Sequence, residues 1–274
     1  MKTLNNHVIL FDDECPMCYV YTKAFIKTGM LDSNGRESYQ NTSEHICPLV
    51  DQQRAANEIA LVNTDNGEVT YGIVSLFKII SHAMPIFKPL FAFKPFVFFM
   101  AKVYAFISYN RKVIIPVEAK TNTLQPSFKL HYRIAYLLFT WLVTAYILTN
   151  YAHLLTDFVP IGSHYREYFI CGGQILFQGL IISLYKREKL WDYLGNMMTI
   201  SFAGSLLLLP TLIFAKYLEI YPIIFILYFL LVAGLMFLEH IRRIKILKLG
   251  WTMSITWAVY RLMVLGLIFI LYKS

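Results

Sequence analysis

Charged residues are scarce in this chain of 274 residues. Asp, Glu, Lys and Arg together make up 15% of it, against about 25% in a typical soluble domain. Hydrophobic residues make up 57%, which excludes both intrinsic disorder and an ordinary soluble globule. The 13 glycines are too few for a collagen-like repeat. We therefore expect a large part of the chain to lie in lipid.

Amphipathic stripes, which a helix in a soluble core needs, are missing from the five apolar runs that follow residue 130. Each run has about 18–22 residues, close to the roughly 20 that cross a bilayer as a helix. In lipid a helix satisfies its own backbone hydrogen bonds. The sequence therefore predicts an all-α transmembrane bundle of about five helices, namely Ile134–Leu155, Tyr168–Tyr185, Met197–Phe214, Ile220–Leu238 and Trp251–Tyr272.

The net charge of +8 is unevenly distributed along the chain. Residues 1–128 contain 12 Lys and Arg against 11 Asp and Glu, whereas residues 129–274 contain 13 against 6. In the second half the basic residues lie at the ends of apolar runs and not on a soluble basic face, so we expect the lipid bilayer and no nucleic acid as a partner.

The loops between the five runs predict the orientation in the membrane. Nine Lys and Arg residues fall on the side that holds the N-terminal region, and three fall on the other side. By the positive-inside rule this predicts a multi-pass integral protein of the cytoplasmic (inner) membrane, with residues 1–130 in the cytoplasm and Ser274 outside. The segment Met1–Phe11 is too short and too polar for a secretory signal.

The segment Pro85–Ile107 is rich in phenylalanine but interrupted by lysines and prolines. One interpretation is a sixth span, which would place the cysteines of the N-terminal region outside the cell. The interpretation we favour is the end of the soluble domain, with an aromatic face on the bilayer and its lysines toward anionic lipid.

The first 116 residues predict a soluble domain, which a linker over 117–133 joins to the membrane domain of 134–274. The order of its elements is typical of a thioredoxin-like α/β unit. The predicted elements are a strand at His7–Phe11, a helix over Tyr19–Met30, a strand at Arg36–Asn41, a helix at Pro48–Asn57, a hairpin of Ile59–Asn63 and Glu68–Tyr71, and a helix at Ile73–His82.

Cys15 and Cys18 form a CxxC motif directly after the first strand. A cysteine at a helix N-terminus faces unpaired N–H groups and the positive end of the helix dipole, which favour its thiolate. We expect Cys15 to be exposed and to attack a substrate disulfide, and Cys18, one turn later, to resolve the mixed disulfide. Asp12 is the candidate acceptor of the Cys18 proton, or alternatively only a helix cap. No cofactor and no metal is expected in this interpretation.

The pattern Asp12-x-x-Cys15-x-x-Cys18 after an apolar strand resembles the DCC family of thiol–disulfide oxidoreductases, which is named for it. Asp65-Asn66-Gly67 with Tyr71-Gly72 looks like the central hairpin of that family, and the run ending in Asn110-Arg111 looks like its closing helix. The resemblance covers about residues 7–116. It implies a thioredoxin-like fold with Cys15 and Cys18 as the redox pair, and a thiol or disulfide substrate, either a protein or a small thiol.

This sequence departs from the family pattern in one position and from thioredoxins in another. Asp13 stands where the family usually has glycine. No proline occurs at Asn57–Glu58, where thioredoxins have the cis-proline that helps to bind substrate. Substrate recognition by the thioredoxin route therefore has no support in the sequence.

Three other interpretations of the same residues remain open. Cys15, Cys18, His45 and Cys47 supply four ligands of the types that zinc prefers. The run VILFDDE is similar to the strand end of haloacid-dehalogenase phosphotransferases, although Glu14 replaces their second aspartate. In the third interpretation the domain has lost its chemistry and serves as a non-enzymatic adaptor or assembly module for the membrane bundle.

Polar residues within the apolar runs mark the remaining candidates for function. Arg261 lies about ten residues into the last run, and Gln174 and Gln178 are its predicted partners. It either ties the bundle together through such bonds or contacts a substrate or quinone. Cys171 stands alone in the second run and is predicted to be a packing residue.

Overall fold

The structure is a computed structural model that describes residues 2–42, 46–118, 124–160, 162–217 and 221–273. The chain divides into two compact units, residues 1–132 and residues 133–274. The first unit is a small α/β domain, and the regular elements of the second are helices, with no strand in its described residues.

The first unit contains four strands and five helices among its described residues. The strands are β1 (His7–Phe11), β2 (Arg36–Ser38), β3 (Ala60–Asn63) and β4 (Val69–Tyr71). The helices are α1 (Pro16–Lys27), α2 (Gln52–Asn57), α3 (Ile73–Ala83), α4 (Lys88–Ala92) and α5 (Lys94–Ile114). Short 3-10 turns lie at Tyr39–Asn41, Cys47–Leu49 and Pro85–Phe87.

The strands form one mixed sheet in the order β2-β1-β3-β4. β1 runs parallel to β2, with Ile9 opposite Arg36, and antiparallel to β3, with Ile9 opposite Leu61. β3 and β4 form the predicted hairpin, and its turn contains Gly67 at a φ of 73°, a conformation that glycine adopts at no steric cost.

Both faces of the sheet are buried, which explains why the apolar residues of β1 are consecutive. Side chains of a strand alternate between faces. Ile9 and Leu61 accordingly pack on one side with residues of α1 and α3. Leu10 and Val62 pack on the other side with residues of α2. The two clusters hold the C-terminal end of β1, where the CxxC motif begins, in a fixed place.

The phenylalanine-rich segment forms two helices, α4 and α5, which meet at an angle of 89°. Phe91 stacks on Phe77 at 4.0 Å between ring centroids. Ile86, Phe93, Phe98 and Phe99 are exposed. The first half of α5 therefore presents an aromatic surface, whereas its last turns are buried and carry Ser108, Asn110 and Arg111.

The second unit consists of α6 (Leu130–Ala152, which begins just before the boundary), α7 (Arg166–Tyr185), α8 (Leu190–Phe214), α9 (Pro222–Ile246) and α10 (Thr252–Lys273). These five helices are long and apolar enough to cross a membrane. The α4–α5 pair meets the same test only when its two helices are taken together. The prediction of about five transmembrane helices is confirmed as far as helix length and apolar composition are concerned.

Buried polar side chains tie the helices of this bundle to one another. The Tyr193 hydroxyl donates to Gln178 Oε1 at 3.0 Å, and Arg243 Nη1 donates to Asn196 Oδ1 at 2.9 Å. The predicted pairing of Arg261 with Gln174 and Gln178 is wrong in the described residues. Gln178 accepts instead from Tyr193 and Thr256, while the Arg261 guanidinium stacks 3.9 Å from the ring centroid of Trp257.

Candidate functional site

The CxxC motif lies where β1 turns into α1. Residues 12–15 form a tight turn in which the Cys15 N–H donates to the Asp12 carbonyl at 3.1 Å. α1 then begins at Pro16. Proline suits the first helical position because its missing N–H would have no partner there and its φ already fits a helix.

Cys15 is the N-cap residue of α1. Its backbone is extended, and its Sγ accepts a hydrogen bond from the Cys18 N–H at 3.4 Å. A hydrogen bond from the Cys18 thiol, the Cys18 N–H and the positive charge of Arg111 outweigh burial and the charge of Asp12, and they lower the pKa of Cys15 to about 7. The Cys15 thiolate is therefore more accessible near neutral pH than the thiolate of an ordinary cysteine.

Cys18 differs sharply from Cys15 in its chemistry. Its thiol donates to the Cys15 sulfur and is buried, and both effects raise the pKa of Cys18 far above that of an ordinary cysteine. Its carbonyl accepts a hydrogen bond from the Thr22 hydroxyl at 2.7 Å. The pair therefore consists of one thiolate that forms readily and one thiol that holds its proton.

Both cysteines are buried, so the predicted exposure of Cys15 is wrong. Cys15 is 6% exposed and Cys18 is 5% exposed. They pack in a small cluster with Phe11, Met17 and Tyr21. A pattern of residue types places Cys15 at a helix start, but it does not show which aromatic side chains cover it.

Asp12 is buried at the end of β1 and is not the cap of α1. Its Oδ1 accepts from the Glu14 N–H at 3.1 Å and from Gln40 Nε2 at 2.7 Å. Its Oδ2 forms an ion pair of 2.7 Å with Arg111 Nη2. The negative charge of Asp12 raises the pKa of Cys15 and so opposes the stabilisation of its thiolate.

Arg111 belongs to this candidate site, and the sequence assigned it no separate role. It comes from α5, 99 positions after Asp12, and is 5% exposed. Besides Asp12, its guanidinium donates to the carbonyls of Ala56 and Asn57 and to the Ser108 hydroxyl. The sequence feature that could have indicated Arg111 is the Asn110-Arg111 end of the run that looks like the closing helix of the DCC family. Arg111 therefore links the CxxC turn to the residues that precede β3.

The segment of residues 124–128 contacts the same region of the first unit. The Ser127 N–H donates to Asn57 Oδ1 at 2.7 Å, and the Tyr39 hydroxyl donates to the Leu124 carbonyl at 2.8 Å. Gln125 Nε2 donates to Glu14 Oε2 at 3.3 Å. Part of the stretch predicted as a linker is thus hydrogen-bonded beside the cysteine motif.

The residues weighed for a metal are not gathered in the part of the chain that the structure describes. His45 lies outside the described residues. Cys47 is exposed and accepts a hydrogen bond from Gln52 Nε2 at 3.5 Å. No group of three or more His, Cys, Asp or Glu side chains within the described ranges could hold a metal ion. A phosphotransferase of the haloacid-dehalogenase type would need a second carboxylate beside Asp12. The structure has the cation of Arg111 beside Asp12.

Comparisons of the chain with protein-family models, with curated proteins and with solved structures gave no match. The resemblance to the DCC family therefore stays a prediction that depends on the residues named for it.

Proposed function

We propose that the chain is a membrane-anchored thiol–disulfide oxidoreductase in which Cys15 attacks and Cys18 resolves. The observation that carries this proposal is the N-cap position of Cys15, whose sulfur accepts the Cys18 N–H at 3.4 Å. A sulfur in that position is favoured as a thiolate. The difference in pKa between the two cysteines supports the assignment of their roles.

We further propose that the first unit has a thioredoxin-like fold. Its elements follow the order strand, helix, strand, helix, hairpin and helix, as the sequence predicts for such a unit. The sheet order β2-β1-β3-β4, with β3 antiparallel to its neighbours, supports this. The resemblance to the DCC family points in the same direction.

The reaction would proceed in two exchanges. The Cys15 thiolate attacks one sulfur of a substrate disulfide, a mixed disulfide forms, and the other substrate sulfur leaves as a thiolate. Cys18 then loses its proton and attacks the Cys15 sulfur, which releases the second substrate thiolate and leaves a Cys15–Cys18 disulfide. Two electrons pass to the substrate, and an external thiol or dithiol reductant restores the reduced pair.

The second exchange needs a base, because the pKa of Cys18 is strongly raised by its hydrogen bond to Cys15 and by burial. Asp12 is our candidate for that base, since it is a buried carboxylate three residues before Cys15, and its charge raises the pKa of that thiol. Arg111 holds it in place through the ion pair of 2.7 Å. Arg111 would act as a positioning residue.

A redox titration of the purified full chain tests the proposal. Across glutathione or dithiothreitol buffers, mass spectrometry should show a reversible loss of two hydrogen atoms that maps to the peptide with Cys15 and Cys18. The Cys47→Ser variant should titrate like the wild type. A mass gain of one zinc ion that disappears with chelator, in place of this couple, would establish the metal-binding alternative.

A non-enzymatic adaptor on the same fold is the second candidate. The burial of both cysteines favours it, because thiols 6% and 5% exposed are shielded from a bulky disulfide. In the same titration an adaptor would show no reversible Cys15–Cys18 couple at any buffer potential. The two functions are therefore separated by one measurement.

We propose that the α/β unit faces the cytoplasm and that the end of α10 faces outward. The nine-to-three distribution of basic residues among the loops carries this prediction. A reporter that is active only in the cytoplasm should give signal when fused before Met1 and none when fused after Ser274. Signal from the C-terminal fusion alone would reverse the orientation, and signal from neither would indicate six spans with both termini outside.

A further inference from the structure

A cavity of about 360 Å³ lies within the helical bundle of the second unit. This volume is within the range of small-molecule sites in proteins, about 300–1,000 Å³. Residues from α6, α7, α8, α9 and α10 line it, and most of them are Leu, Ile, Val, Met or Phe. The cavity has no part in the thiol chemistry proposed above.

Three polar side chains that line this cavity have unpaired donors. Arg261 Nε, Gln174 Nε2 and Thr144 Oγ1 are buried and have no hydrogen-bond partner among the described residues. Gln174 is 6% exposed and Thr144 is 2% exposed. Buried donors of this kind are rare in proteins, because each costs free energy unless something accepts from it.

Thr144 differs from the other threonines of its helix. Thr140 and Thr149 donate to the carbonyls of Tyr136 and Ala145, four residues earlier. A threonine within a helix commonly satisfies its hydroxyl in this way. Thr144 lines the cavity without such a bond, which leaves its hydroxyl available to a ligand.

Arg261 and Gln174 lie on two helices that are in contact. The Tyr260 hydroxyl donates to the Ile170 carbonyl at 2.8 Å, which joins α10 to α7 beside Arg261. Gln174 is one helical turn beyond Ile170 on α7. The Trp257 ring covers one face of the Arg261 guanidinium. Arg261 and Gln174 both line the cavity, from the adjacent helices α10 and α7.

The positive charge of Arg261 is not neutralised within the described residues. Glu167, which also lines the cavity, is paired with Arg166 at 2.7 Å. An unpaired cation within a membrane-spanning helix is costly, and residues of this kind mark ligand and ion sites. Arg261 therefore borders an apolar cavity, and no carboxylate among the described residues is paired with it.

We propose that this cavity binds an amphiphile that has an oxyanion head, carboxylate or phosphate, and a hydrocarbon tail. The head accepts hydrogen bonds from Arg261 and Gln174, with Thr144 as a further donor. The tail lies along the apolar lining, where burial of its methylene groups contributes to affinity. A neutral ligand such as a quinone would leave the charge of Arg261 without a counter-ion.

Native mass spectrometry of the full chain in a neutral maltoside detergent tests the proposal. Oleate and oleoyl lysophosphatidate are the probes, and oleyl alcohol is the neutral control with the same tail. We expect adducts with one or both anions, and the one that binds more tightly identifies the head group. No anion adduct, or equal binding of the alcohol, would overturn the proposal.

The Arg261→Gln variant should lower the affinity for the anion by about tenfold or more, the scale expected when one partner of a buried charge pair is removed. Arg187→Gln removes the same charge from an exposed position outside the cavity and should bind like the wild type. Unchanged binding by Arg261→Gln would contradict the proposal. If that variant does not fold, weaker binding by Gln174→Leu together with retained binding by Arg261→Lys supports it, and any other pattern counts against it.

Discussion

The Cys18→Ser variant is expected to accumulate mixed disulfides with its substrates in membranes, whereas Cys15→Ser should form none. The reason is the asymmetry of the pair. The Cys18 N–H at 3.4 Å favours the Cys15 thiolate at the start of α1, and the pKa of Cys15 is lowered. The Cys18→Ser change removes the thiol that would release the partner. Non-reducing electrophoresis after alkylation with N-ethylmaleimide, followed by mass spectrometry of the partners, measures the trapped species.

The same variant exchanges the thiol that donates to the attacking sulfur for a hydroxyl, and a double variant provides the control. A serine hydroxyl still donates to Cys15, and the N–H of residue 18 is unchanged, so the thiolate should persist. Cys18→Ser combined with Cys15→Ser must abolish every adduct. Adducts that survive in this double variant, or that vanish only with Cys47→Ser, would show that the exposed Cys47 captures partners and that Cys15 does not.

Local pattern predicted the first unit well because its elements are determined by neighbours in the sequence. The consecutive apolar residues of His7–Phe11 form β1, and the turn residues around Gly67 close the hairpin. Helical spacing of apolar residues begins only at Tyr19, but the CxxC motif was expected at the start of the same helix, and α1 does begin at Pro16 with Cys15 as its N-cap.

The environment of the cysteines could not be predicted, because it is made by residues far apart in the chain. Arg111 reaches Asp12 across 99 positions, and Ser127 reaches Asn57 across 70. Periodicity and spacing act over a few turns of helix or one hairpin, so they do not show which distant side chain supplies a charge. Phe11, Met17 and Tyr21, which pack with Cys15, are close to it in the sequence, but residue type alone does not show that their side chains turn toward the sulfur.

In the membrane half the sequence predicted the spans and failed on their contacts. Apolar length alone determines that α6 to α10 can cross a bilayer. The partners of a polar residue depend instead on how the helices rotate against one another. Gln178 turns toward Tyr193 and Thr256, and Arg261 turns toward Trp257 and the cavity.

Arg111→Met is expected to destabilise the first unit by about 3–5 kcal/mol, because it leaves Asp12 as an unpaired buried carboxylate. Asp12→Asn should destabilise the unit by a similar amount, because it leaves the buried Arg111 guanidinium without its carboxylate partner. The double variant should cost less than the sum of the two, with a coupling of about 0.5–3 kcal/mol. Pulse proteolysis of the solubilised full chain in urea, following fragments of residues 2–132, measures the free energy of unfolding. Arg54→Met is the matched control, since its pair with Glu58 is at the surface and should cost less than about 1 kcal/mol.

The same variants should shift the reactivity of Cys15 in opposite directions. The charge of Arg111 lowers the pKa of Cys15 and the charge of Asp12 raises it. Alkylation of Cys15, resolved by peptide mass spectrometry, should reach half its maximal rate near pH 7 in the wild type, at higher pH in Arg111→Met and at lower pH in Asp12→Asn. In the double variant the midpoint should return toward the wild-type value, because both charges are gone. If the pH midpoint of Cys15 alkylation moved in the same direction in both single variants, unfolding would be exposing Cys15. The Asp12–Arg111 pair would then not control the pKa of Cys15.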